Sequence, residues 1–274
     1  MEIKNYEKIY IDGTQEFSLF SFTTRDTNRI IPLHYHQELE VIYCLSGKMK
    51  IWLEGKTIIL EPNHFFVINS MVPHSTQSHE SGTFVVLYFR PNLFLDQATR
   101  IHIEEMNRKQ ASYQQALGLI HQIFVSTTET DPYLVFHQRS LLNEFIYLLL
   151  KYFSTKEISS KRLMNRTNKV QKIIELMQEN YTTQLSLEDL ARLSGYTPTY
   201  LSRMLKENTG QTFSEYKRSL CIEHAIHMIE SQDDTLELIA NKSGFANEKS
   251  LRTAFKEVMQ MTPREYIKRQ KDKK

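Results

Sequence analysis

The last hundred residues contain one pattern twice, and that duplication constrains the chain more than any other feature. Laying the segment from Ser186 over the one from Thr235 pairs Leu187 with Leu236, Glu188 with Glu237, Leu190 with Ile239, Ala191 with Ala240, Ser194 with Ser243, Gly195 with Gly244 and Tyr196 with Phe245. After one inserted residue, Leu201 pairs with Leu251, Leu205 with Phe255, Lys206 with Lys256, Glu207 with Glu257, Thr212 with Thr262, Glu215 with Glu265 and Tyr216 with Tyr266. Each copy reads as a short helix, a tight turn at Gly195 or Gly244, and a second helix. Ala191 or Ala240 lets the helices approach, the glycine permits a positive φ, and the aromatic enters a shared core. This is helix-turn-helix logic. Helical hairpins that merely pack are the alternative, and duplication with both alanine and glycine positions kept favours DNA.

Upstream the pattern is different. Short, partly alternating apolar runs at Phe17 to Phe22, Val41 to Leu45, Met49 to Leu53, Thr57 to Leu60, Phe65 to Ile68 and Thr83 to Phe89 read as strands, with turns between them, and imply a sandwich or barrel. From about residue 110 the period lengthens. Leu117, Ile120, His121 and Phe124, then Leu134, Leu141, Leu142, Phe145, Leu148, Leu149 and Tyr152, follow helical spacing, and Asp131-Pro132 suits a helix start. Apolar periodicity stops between Ser154 and Lys169. The expected organisation is therefore α+β with two domains: residues 1–155, a linker at 156–168, and an all-α unit at 169–274.

Eight Gly and seven Pro in 274 residues are too few turn formers for an all-β chain of this length. The longest apolar runs, such as Phe145 to Leu150, are far short of the roughly 20 residues that cross a bilayer. The polar start has no secretory core, so a cytoplasmic protein without membrane association is expected. Cys44 and Cys221 form no CxxC pair and read as reduced packing residues. Residues 166–274 carry 18 basic and 15 acidic side chains, a mild excess that alone says little about nucleic acid.

Residues 168–268 resemble the DNA-binding domain of the AraC/XylS family of transcription regulators. Gly244-Phe245, Ser250-Leu251, Phe255-Lys256 and Thr262-Pro263-Arg264-Glu265-Tyr266 carry the likeness, and Phe213 stands where the first tail would have proline. The resemblance implies recognition helices at Thr197 to Asn208 and Asn247 to Val258. Their DNA-facing residues would be Thr199, Tyr200, Ser202, Arg203 and Lys206, then Asn247, Glu248, Lys249, Ser250, Arg252, Thr253 and Lys256. Such side chains suit base edges and phosphates. A connector containing Leu220, Ile222, Ala225, Ile226 and Ile229 would set the units roughly 34 Å apart, one turn of the duplex.

In the first half, His34-Tyr35-His36, Glu40 and Gly47, followed by His74, resemble the two motifs of the cupin barrel, whose enzymes bind a divalent metal with three His and one Glu. The usual glycines near Asn63 and Met71 are missing. The reading is an effector pocket formed by His34, His36, Glu40, Trp52, His74 and Tyr88, for a carbohydrate or similar molecule. Phe84, Val86 and Tyr88 share one side of their strand, and Tyr43 and Trp52 offer further rings. No cofactor is expected, with a metal at His34, His36, Glu40 and His74 as the alternative. The expected protein is thus a non-enzymatic regulator, an activator of carbohydrate-related genes. Its expected partners are promoter DNA, RNA polymerase and a second copy bound through the helices between 110 and 153. A metal-dependent cupin enzyme is the rival reading, and a DNA-binding protein with a filled, effector-free barrel is a third.

Overall fold

The computed structural model describes residues 17–24, 30–90, 99–156, 161–183, 185–231, 234–259 and 261–271. The polar residues 1–16 and Pro91 lie outside them. The front half contains β1 (Phe17–Thr24), β2 (Ile30–His34), β3 (Leu39–Cys44), β4 (Lys48–Leu53), β5 (Lys56–Leu60), β6 (His64–Ile68), β7 (His74–Glu80) and β8 (Gly82–Phe89). They form two four-stranded antiparallel sheets, ordered β1-β8-β3-β6 and β2-β7-β4-β5. The sheets face each other as a sandwich.

Alternation along each strand sorts its side chains into layers. On β3, Glu40, Ile42 and Cys44 face between the sheets, where Met49, Ile51, Leu60, Ile68 and Phe84 also lie. Leu39, Val41 and Tyr43 face the opposite way, into a core shared with α1 (Ala111–Ser126) and α2 (Leu134–Phe153). A small ladder pairs β9 (Thr99–Ile101), ahead of those helices in the chain, with β10 (Ser154–Lys156) after them. The buried face of α1 is Tyr113, Ala116, Leu119, Ile120 and Ile123, about one position round from the expected Leu117, His121 and Phe124. Helical spacing gives the period of a face but not its phase when aliphatics border both sides.

The rear half is all-helical: α3 (Lys161–Asn180), α4 (Leu187–Ser194), α5 (Pro198–Thr209), α6 (Phe213–Ser231), α7 (Leu236–Lys242), α8 (Glu248–Met259) and α9 (Pro263–Lys271). Helix α3 begins inside the segment expected to be a linker, because a helix with few apolar residues in its first turns leaves no stripe in the sequence. Ser186 starts α4 by accepting from Asp189 N, while the Asp189 carboxylate accepts from Ser186 N, and Gly195 ends it at φ 73°. Thr197 caps α5, with Pro198 at the first helical position. Two hairpins result, α4/α5 and α7/α8, on either side of α6, as the duplication requires.

The two halves touch. Helices α5 and α6 pack on the outer face of the β2-β7-β4-β5 sheet. Leu33 belongs to the core of the first hairpin, with Ile173, Leu190, Leu201, Leu205 and Tyr216. Trp52 lies against Gly210, where an added Cβ would come within 2.2 Å of its ring.

Candidate functional site

The buried cluster is built by three strands. His34 ends β2, Glu40 lies in β3, His74 starts β7, and His36 sits in the turn between β2 and β3. Proline cannot donate to a ladder, and β2 carries a bulge between Ile31 and His34, around Pro32. The extra residue sends Leu33 outward to the first hairpin. His34 is thereby left opposite His74 in the register.

Each imidazole is held from behind by a main-chain carbonyl. His34 Nδ1 donates to Pro32 O at 2.9 Å, His36 Nδ1 to Glu38 O at 3.0 Å and His74 Nδ1 to Val72 O at 2.9 Å. A carbonyl only accepts, so every Nδ1 carries a proton and every neutral ring has its lone pair on Nε2. His36 Nε2 lies 3.1 Å and His74 Nε2 3.0 Å from Glu40 Oε2. His74 Nε2 makes no hydrogen bond despite complete burial. One donor atom from each of the four residues lies within 4.8 Å of the others.

Burial pushes the His34 imidazole down to about 3, helped by the neighbouring His74 charge. For Glu40, burial alone would raise the carboxyl, but His36 and His74 outweigh it and hold the group below its ordinary range. Glu40 Oε2 accepts a hydrogen bond from His36 Nε2 at 3.1 Å, so this buried carboxylate calls for hydrogen donors or a cation around it. The donor set fits a divalent transition metal, which the three Nε2 atoms and Glu40 Oε2 would hold while the carbonyls orient the rings.

Of the expected pocket residues, Tyr88 faces this cluster, its ring centroid 5.1 Å from that of His36. Trp52 does not. It pairs with Thr57 and Ser75 on the outer face of its sheet and meets the rear domain, whereas its neighbours Ile51 and Leu53 point inward. Tyr43 is also turned away, with its hydroxyl 3.3 Å from His121 Nδ1. Both departures have one cause: these strands are buried on both faces, so alternation does not say which face is interior. The missing motif glycines have left their backbone shape behind, since Asn63 and Met71 adopt φ of 57° and 61°. Sequence reasoning did not single out Leu33 or Gly210 as contacts between the halves.

The second candidate surface consists of α5 and α8. Leu201, Met204 and Leu205 bury one side of α5, while Thr199, Arg203 and Lys206 are exposed, and Tyr200 and Ser202 are half-buried. On α8, Leu251, Ala254 and Phe255 are buried, Lys249, Thr253 and Lys256 exposed, and Glu248, Ser250 and Arg252 intermediate. Exposed Asn247 serves as a cap: its Oδ1 accepts from Ser250 N at 2.9 Å, and Ser250 Oγ donates back to Asn247 O at 2.7 Å. Arg252 is paired with Glu248 across one helical turn. Arg203 lies 3.9 Å from Glu207 and over the Tyr200 ring.

Residues 16–149 match the family model of an AraC-like ligand binding domain, and residues 190–269 match a helix-turn-helix domain. The HTH-type transcriptional regulator YobQ of Bacillus subtilis strain 168 is 22% identical, covering 88% of this chain and 91% of that protein. The HTH-type transcriptional regulator SAR0107 of Staphylococcus aureus strain MRSA252 is 20% identical over 232 residues. That alignment takes in 83% of this chain, which spans only about a third of the staphylococcal relatives (31% of this one). An apo ToxT variant from Vibrio cholerae aligns with a TM-score of 0.46 at 16% identity, over 92% of this chain and 97% of that one. A ligand-binding β domain joined to a DNA-binding helix-turn-helix domain defines a transcription regulator. The chain belongs to the AraC family. Among the described residues no helix is long and apolar enough to cross a membrane.

Proposed function

We infer that this regulator reads promoter DNA with both hairpins, α5 and α8 entering successive major grooves, under control of a ligand bound at the His34, His36, Glu40 and His74 cluster. The observation carrying the DNA half is the pair of helices that bury Leu201 and Leu205, or Leu251 and Phe255, and present Arg and Lys opposite. The observation carrying the ligand half is the buried Nε2 of His74, which has no hydrogen-bond partner beside Glu40. Tyr88 is the one expected sugar-stacking ring that faces the cluster, so ligand class follows from the cluster itself: hydroxyl donors or a cation. A second copy docks on the exposed Phe136, Tyr147 and Tyr152 of α2, and RNA polymerase is recruited on the bound promoter. No catalytic role is assigned.

Selection of the full chain against a random duplex library tests the DNA half. The expected site has two blocks about 10–10.5 base pairs apart, and Arg203→Ala and Arg252→Ala each relax one block and weaken binding by about 1–3 kcal/mol. A single block indifferent to both substitutions overturns two-hairpin reading.

A further inference from the structure

We propose that the two reading helices hold their arginines at different levels and so require guanine at different places in their two blocks, with Glu207 and Glu248 as the positioning residues. The proposal rests on the two-hairpin reading above and names the duplex selected: an ordered pair of unlike half-sites.

The helices themselves seat alike. Thr197 and Asn247 cap them at equivalent positions, Leu201 and Leu251 are buried at the same level, and Lys206 and Lys256 stand exposed at the same place further along. Lysines so placed suit phosphates, which set register without carrying sequence. Within this shared frame the arginine is displaced: α5 has Ser202-Arg203 where α8 has Arg252-Thr253. One position along a helix is a rise of about 1.5 Å and a turn of about 100°, which points the guanidinium at a different base edge.

Carboxylates and a ring enlarge the difference. The residue after the cap is Pro198 in α5 but Glu248 in α8, and Arg252 Nε donates to Glu248 Oε1 at 2.6 Å, which draws the guanidinium back to the first turn. At the far end both helices carry a glutamate, yet Glu257 accepts from Arg218 of α6 at 2.9 Å, whereas Glu207 Oε1 lies 3.9 Å from Arg203 Nε. Arg203 is steadied from the other side by Tyr200, whose ring centroid is 6.0 Å from the guanidinium carbon and 4.9 Å from the Tyr196 centroid. In α8 the position matching Tyr200 is Ser250. Arg203 therefore stays at its own level, between Tyr200 and Glu207, while Arg252 lies level with Ser250. Side-chain exposures of 71% for Arg203 and 35% for Arg252 record the same contrast, one standing clear of its helix and the other lying along it. Counted from the caps, the guanidinium groups differ by about three positions, or about 4.5 Å of helix, a little over one base-pair step of about 3.4 Å.

The test selects duplexes from a random library with the full chain and its variants, and reads base preference position by position. Arg203→Ala should abolish the guanine preference in one block and Arg252→Ala that in the other, each a loss of roughly 5-fold to 150-fold at that position. The paired exchange Arg252→Thr with Thr253→Arg gives α8 the arginine placement of α5, and should move the guanine of the second block by about one base pair while leaving the first block as it was. Far-UV circular dichroism establishes that the exchanged chain is folded. If it is not, Pro198→Glu, Ser202→Arg and Arg203→Thr together give α5 the α8 arrangement and should move the guanine of the first block instead. Exposed ion pairs bias a side chain by only about 1.5-fold to 5-fold, so Glu207→Gln and Glu248→Gln should each blunt the guanine preference of their own block by about that factor. A carboxylate that served stability alone would instead change affinity for every sequence alike, and that result overturns the positioning role. A guanine that keeps its place after the exchange overturns the difference in level, with the two-hairpin reading intact. Blocks indifferent to both Arg203→Ala and Arg252→Ala overturn the two-hairpin reading and this proposal with it.

Discussion

Gly195 and Gly210 end the two helices of the first hairpin in the same left-handed conformation, at φ of 73° and 70°. A methyl group added to Gly195 meets nothing within 4 Å. One added to Gly210 falls 2.2 Å from Cε2 and Cζ2 of Trp52 and 2.8 Å from its Nε1. Left-handed backbone costs an alanine about 1–2 kcal/mol, partly offset by the lower entropy of the unfolded chain. Gly195→Ala should therefore destabilise by about 1 kcal/mol. Carbon atoms rest at about 3.5–4.0 Å, so in Gly210→Ala the indole must retreat by more than about 1 Å or the halves must separate. Overpacking of this kind adds about 1–3 kcal/mol. Urea unfolding followed by circular dichroism gives the stabilities, and Trp52 emission reports the contact directly, since that ring is 7% exposed. Gly210→Ala should lose about 2–4 kcal/mol and shift the emission to the red, whereas Gly195→Ala should leave it unchanged. Equal losses, with native emission in both, would refute the contact between sheet and hairpin.

Tyr113 bridges the main chain of Phe65 on edge strand β6, accepting from its N–H at 3.0 Å and donating to its carbonyl at 3.2 Å. Tyr113→Phe should cost about 1–3 kcal/mol in urea unfolding and speed amide exchange at Phe65, and unchanged exchange would count against the bridge. Ser186→Ala removes the α4 cap and should lose about 1 kcal/mol, measured by the same unfolding curve. The Ser186 hydroxyl, with its N–H, also holds the Asp189 carboxyl below its usual range. That contribution is present above the unfolded value near 3.9 and lost as pH falls through the lower folded value, so the variant should show a flatter acid limb. Burial pushes both cysteine thiols up to about 11. Ellman's reagent at pH 8 should find neither Cys44 nor Cys221 in the native protein and both in urea; rapid native reaction would show that one of them is open to solvent.

What the sequence disclosed and what it hid divide along physical lines. The hairpins were legible because helix pairing needs a small residue and a glycine at fixed offsets, and two copies supply both. The cluster was legible because residues two apart, or a few apart across a turn, come together whatever the rest of the sheet does. Strand β7, with the sequence HSTQSHE, was not expected because its buried positions are polar. Ser78 Oγ donates to the nearby Glu80 O, while Ser75 Oγ donates to Ile31 O and the Thr24 and Ser78 hydroxyls share a hydrogen bond, so much of the burial is satisfied by partners distant in sequence. Strand β2 was hidden by Pro32, which usually argues against a strand. The faces of Trp52 and Tyr43 depended on which elements cover each sheet, and alternation carries no information about that.

The asymmetry between the hairpins bears on how a signal from the barrel would be read out. The first is in direct contact with the sheet through α5, and the connecting helix α6 touches the same sheet at β2. The second packs on α6 through α7 and α8, with Arg218 of α6 donating to Glu257 of α8 at 2.9 Å. Helix α6 has 19 residues, about 28 Å of stiff rod at 1.5 Å per residue. A displacement of Leu33 or Trp52 thus acts on α5 across a single packed layer. It reaches α8 only as a rigid rotation of α6, with the angle at the sheet multiplied by the length of the rod. A rotation of about 5° at one end of such a rod displaces the other by roughly 2.5 Å, comparable to a hydrogen-bond length. Small movements in the β sandwich are therefore enough to displace α8 by that much, even though α8 does not itself pack on the sheet.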